Sequence, residues 1–161
     1  MIVKKFGIEL DETDRVPKVV EEEMLQTSRQ TLCEPEDVFL FCKNSLHLDR
    51  KAEEYVYLFC LNIRGKVIGI YEVAHGGVST AQVSVREICV RAALTAGAVT
   101  MILIHNHPST FVEPSAADEA ITRRIREAGA IINIQLLDSI IIGGDNYYSF
   151  KEQHPEYFLN N

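Results

Sequence analysis

No run of about 18 apolar residues occurs anywhere in this sequence, so it encodes no membrane-spanning helix. The apolar stretch within Met1-Ile2-Val3-Lys4-Lys5-Phe6 is too short for a signal peptide. Basic residues are also short: 16 Lys and Arg stand against 23 Asp and Glu, a formal net charge of −7. A surface of that sign opposes broad adhesion to phosphate backbones, so DNA binding gets no support from charge. The four cysteines, Cys33, Cys42, Cys60 and Cys89, form no C-x-x-C pair, which excludes a zinc knuckle and a thioredoxin-type motif. Cys60 and Cys89 lie in apolar runs and read as small core hydrophobes. Internal repeats and low-complexity tracts are absent. The expected setting is a reducing cytosol, with no membrane partner.

What is present suits one compact globular unit with an N-terminal extension: 161 residues, 47% hydrophobic and 24% charged. From Pro17 to Cys33, apolar Val20, Met24 and Leu25 with Glu21, Glu22 and Glu23 predict an amphipathic helix. A second helix is predicted from Pro35, where Glu34-Pro35-Glu36-Asp37 gives a proline-led acidic first turn. These two helices make an extension over residues 1–48, with the main domain over 49–161. Tyr55 to Leu61 is rich in aromatic and branched residues and reads as an internal strand. The turn Asn62-Ile63-Arg64-Gly65-Lys66 returns it into Val67–Val73 as a hairpin, which His75-Gly76-Gly77 ends. Val85–Ala96 is helical, with Gly97 as its stop. Val99–Ile104 is a short apolar strand leading into His105-Asn106-His107-Pro108. A helix from Ala116 to Ala128, stopped by Gly129, follows. Two short strands at 134–137 and 139–142, then a turn into Tyr147-Tyr148-Ser149-Phe150, close the chain. The order of elements fits an α/β fold with a mixed sheet flanked by helices.

His105 and His107 are two apart at a strand end, where residues i and i+2 project to one side. Asp118 lies in the first turn of the next helix, where a carboxylate can aim back at the preceding loop. Two imidazoles and a carboxylate, with a fourth position left to water, are the ligand set of a catalytic zinc site. Such a zinc lowers the pKa of its water to about 7 and polarises a carbonyl, so amide hydrolysis is the natural chemistry. A plainer reading stands beside it. Ser115 followed three residues later by Asp118 is also an N-cap pattern, and a His pair in a loop is often solvated.

Written out, the stretch is H-x-H-P-x6-S-x2-D, five fixed positions in the fourteen residues from His105 to Asp118. It resembles the JAMM motif of the MPN+/JAB metallopeptidases. The form HNHPS, with Arg86-Glu87 upstream and Leu136-Leu137-Asp138-Ser139-Ile140-Ile141-Ile142-Gly143 downstream, is similar to the RadC proteins of that superfamily. The similarity runs from about Leu48 to Glu152. It implies a cytidine-deaminase-like JAB/MPN fold with His105, His107 and Asp118 as Zn2+ ligands. It further implies Glu54, at the start of the apolar strand, as general base. Ser115 would, on the same resemblance, donate its hydroxyl to a developing oxyanion, a role that competes with helix capping. Glu53, one residue away, points to the other face of a strand. His75 reads as a turn residue rather than a site residue, Arg86-Glu87 as a packing pair, and Arg123, Arg124 and Arg126 as a salt-bridged solvent face.

Thr110 stands where many RadC proteins have glycine, followed by Phe111-Val112-Glu113, a bulkier loop beside the expected metal. The glycine-centred hairpin of a helix-hairpin-helix region is missing from the N-terminal part. Two functions from different classes follow. One is a zinc-dependent hydrolase of peptide or isopeptide bonds acting on a peptide or protein substrate. The other is a DNA-repair or mobile-element-associated accessory protein that uses the zinc fold as a binding module. The contiguous letters H-N-H do not make an HNH nuclease, whose residues spread over a ββα unit, and the H-x-E and P-C-x-x-C signature of zinc deaminases is absent.

Overall fold

The computed structural model describes residues 1–76 and 83–158; Gly77, the expected end of the hairpin, lies outside them. The chain forms one seven-stranded sheet in the order β2-β1-β4-β3-β5-β6-β7. The strands are β1 (Ile2–Leu10), β2 (Pro17–Gln26), β3 (Glu54–Leu61), β4 (Val67–Gly76), β5 (Thr100–Asn106), β6 (Gln135–Gly143) and β7 (Asn146–Ser149). β1 runs parallel to β4 and β5 parallel to β6, while the remaining neighbours are antiparallel. The helices are α1 (Pro35–Phe41), which continues into a π-helical turn over Cys42–Leu46, α2 (Val85–Leu94), α3 (Ala116–Ile131) and the short α4 (Phe150–Gln153). This is the mixed α/β sheet that the order of elements predicts.

Two layers cover the sheet, and strand alternation divides the core between them. On one face Tyr57, Phe59 and Leu61 of β3 meet Ile102 and Ile104 of β5 and Val38, Phe39 and Phe41 of α1. On the other face Val56, Leu58 and Cys60 meet Met101 and Leu103 together with Ile88 and Ala92 of α2 and Ile125 of α3. Because both faces are buried, β3 and β5 read as continuous apolar runs instead of alternating ones. Helix α3 lies on the second face.

The N-terminal two-helix extension is not what forms. The segment from Pro17 is strand β2, paired antiparallel with β1 from Ile2↔Gln26 to Leu10↔Pro17. The apolar set at Val20, Met24 and Leu25 suits a helix, but Leu25 is the one buried side chain of that strand, seated opposite Val3. The partner strand lies up to 24 residues upstream, and such non-local pairing overrides a weak local propensity. Only the second expected helix, at Pro35, is present. Smaller differences have similar causes. α3 runs through Gly129 to Ile131, because that glycine serves close packing: a Cβ there would lie 2.6 Å from the Ile134 carbonyl oxygen. β6 is one strand, its expected interruption being a shift in register against β5 between Met101 and Ile102.

Candidate metal centre

β5 delivers His105 to the sheet's edge of the core, and alternation from Met101 and Leu103 places it on the α3 face. His107 follows one step beyond the strand, its backbone N–H donating to the Ile142 carbonyl of β6 at 2.8 Å. Asp118 sits in the first turn of α3. The three side chains converge, with one ligand atom from each lying within 4.8 Å of the others. His105 Nε2 is 3.1 Å from His107 Nε2 and 3.1 Å from Asp118 Oδ1, and His107 Nε2 is 3.6 Å from Asp118 Oδ2. A tetrahedral zinc with ligand bonds near 2.0–2.1 Å sets its ligand atoms roughly 3.3 Å apart, close to the spacing of His105 Nε2 from His107 Nε2 and from Asp118 Oδ1, while His107 meets the carboxylate through its other oxygen.

Capping engages one oxygen of Asp118, the one 3.6 Å from His107 Nε2, and leaves the other beside His105. Oδ2 accepts the Ser115 backbone N–H at 2.8 Å and the Ser115 hydroxyl at 2.6 Å, while the Asp118 N–H donates back to Ser115 Oγ at 3.2 Å. This is a complete capping box. Oδ1 is left on the side of His105. The cap therefore acts as a rigid mount for the carboxylate. It also engages the Ser115 hydroxyl proton on Asp118.

His107 is oriented from behind. Its Nδ1 lies 2.7 Å from the Phe111 carbonyl oxygen, which can only accept, so Nδ1 carries the proton and Nε2 presents its lone pair to the centre. Hydrogen bonding to Asp118 raises the His107 pKa above 6.5; partial burial opposes this, and the Phe111 carbonyl and the charges of Asp118 and Glu54 add to it. Burial alone would raise the Asp118 pKa. Hydrogen bonds with His105 and His107, the charge of His105 and the Ser115 hydroxyl instead hold it well below the usual carboxylate range.

Glu54 opens β3, and the register Val56↔His105 sets it beside the end of β5. Alternation from Val56, Leu58 and Cys60 turns it to the same face as the two histidines. Glu53 takes the other face, where its carboxylate meets His75 Nε2 and the His75 ring stacks on Tyr55 with centroids 4.0 Å apart. His75 is thus a strand residue of β4 engaged behind the sheet. Glu87 pairs with both Arg86 and Arg91 on α2. Arg126 reaches the Tyr157 carbonyl and ring rather than an acidic neighbour on its own helix. Thr110, at the glycine position of the loop, holds φ +66°, a left-handed conformation that strains a β-branched residue.

One residue escapes sequence reasoning. Asn106 is 1% exposed, and its carboxamide grips the start of β3 from between the two histidines. Oδ1 accepts from the Tyr55 N–H at 2.8 Å and Nδ2 donates to the Glu53 carbonyl at 3.0 Å. Its place as the variable letter of H-x-H-P carries no signal of this contact.

Fold and geometry together define a mixed α/β domain with a two-histidine, one-carboxylate cluster at the end of a central strand. The family model described as RadC-like JAB domain matches residues 32–155, and the chain belongs to that family. Among curated relatives it is 43% identical to a UPF0758 protein of Thioalkalivibrio sulfidiphilus over 76% of this chain and 53% of that protein. It is 42% identical to a UPF0758 protein of a Janthinobacterium species over 62% of this chain and 44% of the relative. A third, from Halorhodospira halophila, is 43% identical over 65% and 46% of the two chains. The chain spans about half the length of the relatives it matches. Among the described residues no helix is long and apolar enough to cross a membrane.

Proposed function

We propose that this protein is a zinc-dependent hydrolase of peptide or isopeptide bonds. The observation that supports the reading is the convergence of His105, His107 and Asp118, one ligand atom from each lying within 4.8 Å of the others, the donor set of a catalytic zinc site. Zinc at such a site polarises a carbonyl and makes a water acidic near neutral pH. The protein's own residues do the rest. The Phe111 carbonyl and the capping box fix the ligands before any ion binds, so binding calls for little reorganisation. Glu54, on the same face, takes the proton from the attacking water on its carboxylate and passes it to the leaving nitrogen. Ser115 supports this by mounting Asp118. To serve an oxyanion as well, its hydroxyl must turn away from Oδ2, which leaves the backbone N–H to keep the cap.

Elemental analysis of wild type and His107→Ala, purified side by side without added zinc, tests the site. About one zinc per chain in wild type, lost in the variant, is the expected result, with Glu54→Ala then abolishing cleavage of peptide and isopeptide substrates. Wild type that stays metal-free even when zinc is supplied overturns the reading and leaves a binding module.

A further inference from the structure

The two halves of the candidate site come from different strands. The histidines belong to β5 and its exit, whereas Glu54 belongs to the first residue of β3. The registered pairing of β5 with β3 ends short of Glu54. The last registered pair is Val56↔His105, the His107 N–H turns to Ile142 of β6, and residue 108 is a proline with no N–H to offer. Asn106 fills the gap. The Glu53 carbonyl and the Tyr55 N–H belong to the two peptide units on either side of Glu54, and one carboxamide holds both. Among side chains of this reach only Asn offers a donor and an acceptor in one rigid plane; Asp accepts only, and Leu does neither.

We propose that Asn106 is the positioning residue that sets Glu54 against the histidine pair. This rests on the reading of Glu54 as the base. The carboxamide of Asn106 is hydrogen-bonded to the β3 backbone, at Tyr55 and Glu53. Its effect is to fix the backbone from which the Glu54 carboxylate projects, so the distance between base and metal is set by the same residue that separates the two histidines.

Zinc affinity, read by competition with a chromophoric chelator, tests this in a double-mutant cycle on the full chain. Glu54→Gln removes a charged partner outside the ligand shell, for which a loss on the order of tenfold in affinity is expected. Asn106→Ala is expected to lose a similar factor, and the double variant no more than either alone, because Asn106 acts through Glu54. Multiplying losses, or an unchanged affinity in Asn106→Ala, overturns the inference while leaving Glu54 in place. No loss in Glu54→Gln overturns the base reading and this inference with it. Should Asn106→Ala fail to fold, Asn106→Asp carries the same cycle: it keeps the bond from Tyr55 and loses only the one to Glu53. Amide exchange of Tyr55 is expected to quicken in Asn106→Ala and stay slow in Asn106→Asp, and slow exchange in both variants overturns the clamp.

Discussion

At the scale of single residues, one half-buried and one buried acid behave in opposite ways in this molecule. Asp118 is surrounded by hydrogen-bond donors and stays ionised, whereas Asp138 is 1% exposed and burial pushes its pKa up to about 6. Three donors, the Ser149 hydroxyl at 2.6 Å and the Ser139 and Lys151 amides at 2.7 and 2.9 Å, reduce that shift without cancelling it. The sign of the consequence follows from linkage. The folded state binds a proton that the unfolded chain, with a carboxyl near 3.8, releases, so the contribution is full below that value and lost as pH rises through about 6. The whole effect is about 3 kcal/mol. Asp138→Asn removes the titration, so its stability relative to wild type is expected to rise by about 2 kcal/mol between pH 4.5 and 7.5 in urea unfolding. A constant difference across that range would show that Asp138 is not protonated in the fold.

At the scale of elements, the loop after His107 packs against the C-terminal end of β6. A Cβ on Gly143 would lie 2.4 Å from the Thr110 carbonyl oxygen and 2.9 Å from Val112 Cγ1. The backbone of β6 and the loop therefore touch, and the loop cannot move off without shifting Phe111, whose carbonyl orients His107. Gly143→Ala is expected to weaken zinc affinity at least about tenfold while the protein still folds, as chelator competition beside a thermal melt would show. Strand β5 explains why the motif itself is so easily read. A short apolar run, two histidines at i and i+2, a proline and a capping serine each impose a local geometry that neighbouring elements do not alter. The assignment of Glu54 over Glu53 rests equally on alternation, a local rule once the strand is known.

Over the whole molecule, the N-terminal hairpin and the candidate site lie in different parts of the sheet. The β1–β2 hairpin lies outside the residues the family model matches and adds two strands to the sheet beside β4. It contributes Val3 and Leu25 to the α1-side core and is separated from β5 by both β4 and β3. Leu25→Ala is expected to lower stability by about 2–5 kcal/mol, the range for truncating a buried leucine, and to leave the zinc content unchanged. Loss of zinc in that variant would show that the hairpin supports the site directly.

By itself, the sequence determined the cluster of His105, His107 and Asp118, the central strands β3 and β5, the helices at Pro35, Val85 and Ala116, and the family resemblance. These are encoded by residues close together in the chain, where spacing and geometry are nearly the same thing. Tertiary structure alone decided the rest. It turned Pro17–Gln26 into a strand, because the partner that satisfies its backbone lies at the other end of a hairpin. It let one carboxylate serve as cap and ligand candidate by giving each oxygen a different neighbour. It brought Asn106 against residues 53 and 55, since a side-chain contact across some 50 positions becomes visible only when two strands lie side by side.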